Sequence, residues 1–215
     1  MRTPIFFAAA LAFAACSSPP ASPSVREFPP GLATARMRDY RFARVSSTDP
    51  TGGNADYRPI DPGKDLVLAD LDGPAVITHL WFTFFPREAR NQLWLRAWWD
   101  GEAEPSIDAP LGLFFGVGHD DARIPFYTNI AFDVSPQLGL NCHLPMPFRK
   151  HARLTLTNKS SARIDSLYYY CDYSKVPSIP DDVLYFHAQY HEENHCKPNQ
   201  DYVFAEGRGS ATSSE

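Results

Sequence analysis

The chain has 215 residues with 44% hydrophobic and 13% aromatic side chains, which is enough apolar material for one sizeable globular core. Its 20 prolines and 12 glycines indicate many turns and short elements rather than long helices. The formal net charge is −5 at pH 7 and there is no run of lysine or arginine, so the composition excludes an electrostatic nucleic-acid binder.

The N-terminus is typical of an export signal. Arg2 supplies a positive charge, an apolar run from Ile5 to Ala15 follows, and two alanines precede Cys16. This run is too short to span a bilayer. We expect a lipoprotein signal peptide over residues 1–15, lipid acylation of Cys16, and a Ser/Pro-rich tether over residues 16–30. The alternative is an ordinary secretory signal with an incidental cysteine.

The body of the chain contains an odd number of cysteines: Cys142, Cys171 and Cys196. In an exported protein this number allows at most one disulfide, and the spacing selects no pair. Buried free thiols are the alternative.

Short β-type segments recur along the body, most of them bounded by Gly, Pro, Asn or Asp. Leucines and threonines alternate in residues 153–158, as in a half-buried strand. Asp100 and Gly101 indicate a tight turn, in which we expect the acidic side chains only to improve solubility. The sequence predicts an all-β, jelly-roll β-sandwich. The predicted strands are 65–71, 75–85, 93–99, 123–131, 152–158 and 164–172, after a short helix or turn within 25–39.

Aromatic-rich and acid-rich loops on an exported β-sandwich favour carbohydrate binding, because sugar rings stack on aromatic faces while polar side chains bind hydroxyl groups. Glycoside hydrolysis needs two carboxyl groups, roughly 5 to 9.5 Å apart. Chemistry alone selects no such pair, since acids in turns are usually solvated. The available acids are Asp49, Asp56, Asp100, Glu102, Glu104 and Asp108.

Several motifs resemble those of the domain-of-unknown-function family 2961, also classed as glycoside hydrolase family 172. They occur in the family's order and extend from about residue 36 to residue 202. The motifs are 44–56 (RVSSTDPTGGNAD), 73–81 (GPAVITHLW), 99–102 (WDGE), 105–112 (PSIDAPLG), 114–116 (FFG), 144–148 (LPMPF) and 185–190 (YFHAQY).

The resemblance implies the first half of a double jelly roll, in subunits that assemble as homotrimers. It also implies retaining hydrolysis of furanosides, such as α-D-fructofuranosides and D-arabinofuranosides, or transfer from them. The family's nucleophile and acid/base are glutamates of its C-terminal half, for which this chain has no counterpart. We therefore assign no catalytic residue. Leu113 also departs from the family, which usually has an acidic residue there.

We expect the jelly-roll domain to occupy residues 31–209, followed by a divergent polar tail over 210–215, as a truncated or frame-shifted gene would encode. The resulting hypothesis is an inactive remnant of a furanoside-cleaving hydrolase that uses no cofactor. The alternative is a non-catalytic, carbohydrate-binding or structural jelly-roll lipoprotein.

Five residues in or beside these motifs are assigned to substrate binding by the resemblance: Asp49, Asn54, Asp56, Asn141 and Phe148. The alternative for each is structural. Residues 145–148 would pack in the core, and the Gly-Gly-Asn segment would be a capped turn, because such turns use the same residue types.

Residues 191–195 fit the pattern H-E-x-x-H, in which two histidines one helical turn apart bind zinc and the glutamate acts as general base. The pattern requires a helix, yet residues 184–190 alternate like a strand and Pro198 follows closely. A zinc protease using His191, Glu192 and His195 is therefore only a third hypothesis, and we expect no metal.

We expect an exported protein that is lipid-anchored at the outer membrane or located in the periplasm. Ser17 lacks the negative charge that retains many lipoproteins at the inner membrane. The expected partners are furanoside-containing glycans, the membrane through the lipid anchor, and further copies of the chain.

Lipid labelling tests the predicted anchor. Cells that express the full chain should incorporate radiolabelled palmitate, and Cys16→Ser should abolish the labelling because the Cys16 thiol is the acylated group. Cys196→Ser is the matched control and should label normally. Labelling that persists in Cys16→Ser would contradict the prediction.

Overall fold

The computed structural model describes residues 39–118, 126–135 and 139–203. Within these ranges the chain folds as two β-sheets with very little helix, so the predicted all-β sandwich is confirmed. The predicted signal peptide, tether and polar tail, and the short helix predicted before residue 39, lie outside the described residues.

The described ranges contain thirteen strands, one α-helix and one 3-10 helix, and none of their helices is long and apolar enough to cross a membrane. The strands are β1 Arg41–Ser46, β2 Arg58–Ile60, β3 Asp65–Asp72, β4 Ala75–Phe85, β5 Leu93–Trp99, β6 Ile107–Pro110, β7 Tyr127–Thr128, β8 Phe132–Ser135, β9 Gly139–Cys142, β10 Met146–Phe148, β11 His151–Asn158, β12 Ile164–Lys175 and β13 Ala188–Gln189. The helices are the 3-10 helix Arg87–Asn91 and α1, Leu111–Phe114.

The large sheet has the strand order β1-β12-β4-β9-β8-β7, with β10 also paired to β4 and β2 to β12. The small sheet has the order β13-β6-β5-β11-β3. Pairing is antiparallel except between β13 and β6. Neighbours far apart in sequence, such as β4 and β12, show that the chain crosses repeatedly between the sheets, as in a jelly roll.

Side-chain alternation builds the core between the sheets. In β5, Leu93, Leu95 and Ala97 are completely buried, whereas Trp94 and Arg96 between them are half-buried on the outer face. Each buried leucine contributes roughly 1.5–3 kcal/mol to folding.

The predicted alternation in β11 is confirmed on its leucine side, since Leu154 and Leu156 are fully buried. The threonine side is covered as well. Thr157 accepts a hydrogen bond from Arg96 at 3.0 Å and donates one to Asp65 at 2.5 Å, so a polar chain crosses the outer face of the small sheet.

β4 changes phase halfway along its length. Core side chains occupy odd positions up to Ile77 and even positions from Leu80 onward. Asp172 of β12 lies opposite His79, and the next residue of β12 lies opposite Ile77. Thr78 is therefore the extra residue of a β-bulge, which turns His79 to the outer face of the sheet.

The long strands were predicted well, because 65–71, 75–85, 93–99, 152–158 and 164–172 correspond closely to β3, β4, β5, β11 and β12. The prediction over 123–131 is wrong where the chain is described, since only β7 is strand, and residues 123–125 lie outside the described residues. The alternation in residues 184–190 yields only the two residues of β13. Short strands without a clear alternation were missed.

All three cysteines of the body are free: Cys142 and Cys171 are buried and Cys196 is exposed. Cys142 and Cys171 are the register partners of Leu80 on its two sides. Two strand spacings, about 10 Å, therefore separate them, which is too far for a disulfide. Burial raises the pKa of Cys142 to about 11 and that of Cys171 to about 12.

Asp100 anchors its turn, so the expectation that it only improves solubility is wrong. Its carboxylate accepts hydrogen bonds from the backbone N–H groups of Lys150 and His151, at 2.6 and 3.0 Å, and from the Tyr185 hydroxyl. Asp100 and Gly101 both have positive φ, 54° and 84°, as the predicted Asp-Gly turn requires. This one side chain joins the turn after β5 to the start of β11 and to the C-terminal segment.

The ionised form of Asp100 stabilises the fold. Burial by itself raises the pKa of Asp100, but the hydrogen bond from Tyr185 and those from the backbone amides outweigh it and lower the pKa below its ordinary value of 3.8. The stabilisation is therefore complete above that ordinary value, and it is lost as the pH falls through the lower pKa of the folded state.

Asp100→Asn should lower the free energy of unfolding at pH 7 by about 2 kcal/mol, because an amide cannot match the charge-assisted hydrogen bonds. Denaturant unfolding should show this difference shrinking as the pH falls from about 5 to about 2. Asp182→Asn changes an exposed carboxylate and should alter stability by less than about 0.5 kcal/mol. Equal stability of the two variants at pH 7 would contradict this account.

Candidate functional site

The loop between β1 and β2 holds three of the predicted substrate-binding residues: Asp49, Asn54 and Asp56. Asp49 is turned into the loop. It accepts hydrogen bonds from the Thr51 hydroxyl at 2.7 Å, the Thr51 N–H at 2.9 Å and the Ala55 N–H at 3.1 Å. These hydrogen bonds, led by those of Thr51, lower the pKa of Asp49 to about 2. Asp49 is thus an ionised anchor of the loop.

Arg58 closes the other side of this loop. Its guanidinium donates hydrogen bonds to the carbonyl oxygens of Thr48 at 3.1 Å and Ala55 at 3.2 Å. A Cβ atom at Gly53 would lie 2.9 Å from Asp49 Oδ2, so a side chain there would displace that carboxylate from its present position. The loop therefore has a fixed shape without a ligand.

Asn54 is exposed and Asp56 is half-buried. Asp56 Oδ1 accepts the N–H of Asp49 at 2.7 Å, and Oδ2 has no hydrogen bond within the described residues. Asn54 has a left-handed backbone, φ 61°, and its exposed amide has no hydrogen-bond partner in the described ranges. These two side chains are the loop groups that remain available to a ligand.

A charged network lies on the outer face of the large sheet. Asp172 on β12 is 5% exposed, and its carboxylate accepts two hydrogen bonds from Arg44 of β1, at 2.5 and 2.9 Å. His79 Nδ1 lies 3.1 Å from the same carboxylate, and His79 Nε2 lies 3.1 Å from Asn141 Oδ1. Asn141 in turn donates to the carbonyl oxygen of Asp133 at 3.1 Å. This network ties together five adjacent strands, β1, β12, β4, β9 and β8.

The charge of Asp172 is held in place by its partners. Burial by itself raises the pKa of Asp172, but the hydrogen bonds and charges of Arg44 and His79 outweigh it, so the pKa lies below its ordinary value. Asp172 is therefore a fixed anion that orients one guanidinium and one imidazole.

Aromatic rings flank the network. Trp81 and Tyr170 stack with 4.7 Å between ring centroids, and the Arg44 guanidinium lies 4.2 Å from the Tyr170 centroid. His143 stacks on His79 at 4.9 Å. We refer to Arg44, His79, Trp81, Asn141, Tyr170 and Asp172 together as the platform.

The platform is continuous with the loop. Arg44 and Ser46 belong to the same strand, β1, and Ser46 lies opposite Tyr170 in the sheet. The Ser46 hydroxyl donates to the Thr48 hydroxyl at 2.9 Å, at the start of the loop. Strand β1 therefore joins the platform, which includes Asn141, to the loop that carries Asn54.

Phe148, the fifth predicted residue, has no exposed surface and lies parallel to Trp99 in the core, with 6.5 Å between the rings. The packing alternative for this residue fits the structure.

Sequence reasoning also missed most of the platform. Arg44, His79 and Trp81 lie within motifs that resemble the family, which was an available signal, whereas Asp172 lies in a segment that was predicted only as a strand.

The zinc motif lacks the geometry that it requires. Residues 191–195 do not form a helix, and His195 has a positive φ of 62°. His191 Nδ1–H donates to the carbonyl oxygen of Val203 at 2.9 Å. Among the residues that the structure describes, no three His, Cys, Asp or Glu side chains are grouped for a metal ion. The zinc-protease hypothesis, with Glu192 as base, is therefore set aside.

Asp172→Asn should lower the free energy of unfolding at pH 7 by about 2 kcal/mol, because it leaves Arg44 and His79 without their anion. The loss is no larger because the half-exposed Arg44 side chain can still be hydrated. Chemical denaturation measures the change. Asp165→Asn, an exposed position on the same strand, is the matched control. A loss no larger than in that control would contradict the anchoring role.

Comparison with known proteins gives one finding about the family. A family model described as the GH172 first beta-sandwich domain matches residues 38–194, which include β1 to β13. No curated protein sequence matches the chain. Because the match covers well over half of the chain, the protein belongs to glycoside hydrolase family 172 and carries that family's first β-sandwich domain.

Proposed function

We propose that this domain recognises furanosides for a hydrolase of this family, and that it binds the sugar without cleaving it. The platform carries the proposal. A stacked pair of half-buried aromatic rings, Trp81 and Tyr170, lies beside polar side chains that are already fixed by hydrogen bonds. Sugars bind to such surfaces through their C–H faces and their hydroxyl groups together.

The loop extends this surface on one side. Asn54 and Asp56 Oδ2 are available to hydroxyl groups, while Asp49 and Arg58 hold the loop in shape. A loop that is ordered before binding loses little conformational entropy when the ligand arrives. The ligands that follow from the family resemblance are α-D-fructofuranosides and D-arabinofuranosides.

The described carboxyl groups favour recognition over hydrolysis. A glycosidase needs one carboxyl that stays protonated near neutral pH, beside one that is ionised. Four carboxyl groups within the described residues have clearly shifted pKa values, and all four pKa values are lowered. These groups are Asp49, Asp70, Asp100 and Asp172. Each of these groups is an ionised acceptor that is occupied by its own neighbours, which is the opposite of a general acid.

We also propose, from the sequence, that the protein is lipid-anchored and that it assembles with further copies of the chain. A lipid on Cys16 would hold the domain at the outer membrane or on the periplasmic side, where glycans are met. Exposed aromatic side chains flank the platform, with Phe42 at 60% and Phe85 at 61% exposure. Such side chains are compatible with further copies of the chain packing nearby in a trimer.

The full chain should bind methyl α-D-arabinofuranoside and release no nitrophenol from aryl α-D-fructofuranosides or D-arabinofuranosides. In amide NMR titrations, the signals of His79 and Trp81 should shift with the ligand. Trp81→Ala should weaken this binding about fivefold or more, because an aromatic contact of this kind contributes about 1 kcal/mol or more. Trp98→Ala, on the outer face of the small sheet, is the matched control and should bind normally.

Two results would contradict the proposal. Equal binding by Trp81→Ala and by the unchanged chain would remove the platform from recognition. Nitrophenol release by the unchanged chain, abolished in Asp49→Ala/Asp56→Ala, would show that the chain is catalytic. The nucleophile would then lie in the loop between β1 and β2.

A further inference from the structure

A cavity of about 330 Å³ opens at the side of the sandwich, where α1, β8 and β13 meet. It shares no residue with the platform or with the loop between β1 and β2. Its volume is near the lower end of the range of roughly 300–1,000 Å³ that is typical of small-molecule sites. The space therefore fits one small ring rather than an extended chain.

The floor of the cavity is apolar and aromatic. Phe114 contacts Phe132 and Phe186 edge to face, with centroid distances of 5.9 and 6.3 Å. Ala109 and Ala188 complete this wall with small side chains. Such a surface takes the C–H face of a ligand.

The rim of the cavity is polar, and several of its donors already bond within the chain. Gln189 donates its side-chain amide to the carbonyl oxygen of Pro105 at 2.9 Å. His191 Nδ1–H donates to Val203, and the Tyr202 hydroxyl donates to the His191 carbonyl at 2.8 Å. Gln189 Oε1 accepts no hydrogen bond from the described residues, and His191 Nε2 is a second polar atom among the lining side chains.

An apolar floor beside the Gln189 amide oxygen and the His191 ring fits a ligand with one C–H face and several hydroxyl groups. A purely apolar ring would displace water from these polar groups without replacing the hydrogen bonds of that water, which costs binding energy. We propose that this cavity is a second sugar-binding site, which takes a single sugar ring. The choice of a furanoside as its ligand rests on the proposed function, whereas the site itself does not.

Amide NMR of the full chain, titrated with methyl α-D-arabinofuranoside, tests this site. The amides of Phe114, Ala188 and Tyr190 should shift along a binding curve of their own. Leu113 lines the cavity, so Leu113→Trp should fill it and weaken this curve about tenfold, while Leu113→Ala should retain it. His191→Phe keeps a ring and removes both nitrogens, so it should weaken the same curve.

The proposals for the two sites can be contradicted independently. Unmoved cavity amides, or an unchanged curve in both Leu113→Trp and His191→Phe, would overturn the cavity site even if the platform responds. Cavity amides that respond while those of His79 and Trp81 do not would contradict only the proposed function. Tighter binding of cyclohexane than of the sugar would overturn the ligand class, because cyclohexane has no hydroxyl donor.

Discussion

A single extra residue in β4 determines which side chains of that strand face the core and which lie on the outer face of the large sheet. Up to Ile77 the strand points its odd positions into the core, and after Thr78 it points its even positions inward. Because side chains alternate strictly along a strand, a bulge of one residue exchanges the two faces. His79 thereby lies outside, opposite Asp172, while Leu80 still fills the core. The core and the platform are both built from the same strand.

Three aspartates stabilise different parts of the fold by the same physical means. Asp49 orders the loop, Asp100 ties the turn after β5 to distant backbone, and Asp172 orients Arg44 and His79. Each carboxylate is surrounded by donors, and the hydrogen bonds outweigh whatever burial costs the charge. The structure therefore depends on ionised carboxylates, and acid should weaken several regions of it together.

This use of carboxylates has a consequence for function. A carboxylate that is occupied by several donors is poorly suited to carry a proton to a leaving group, because its protonated form is disfavoured. It is well suited to hold neighbouring groups for recognition. On the platform, Asp172 orients Arg44 over the Tyr170 ring, and that ring stacks on Trp81. The polar and aromatic parts of the surface are thus fixed before any ligand binds.

The sequence by itself determined the fold class, the long strands and the family resemblance. Alternation in β5 and β11 and the Asp-Gly turn are local patterns, and local backbone geometry follows from them. The sequence also indicated the loop that carries Asn54 and Asp56, because turn-forming residue types can be recognised without knowledge of their neighbours in space.

Only the tertiary structure decided which polar groups act together. Arg44 is 128 residues from Asp172 in sequence and His79 is 93 residues from it, yet all three are in hydrogen-bond contact. The bulge at Thr78 and the burial of Phe148 also depend on neighbouring strands rather than on local pattern. Electrostatic and packing energies act over distances in space, which a residue's position in the sequence does not specify.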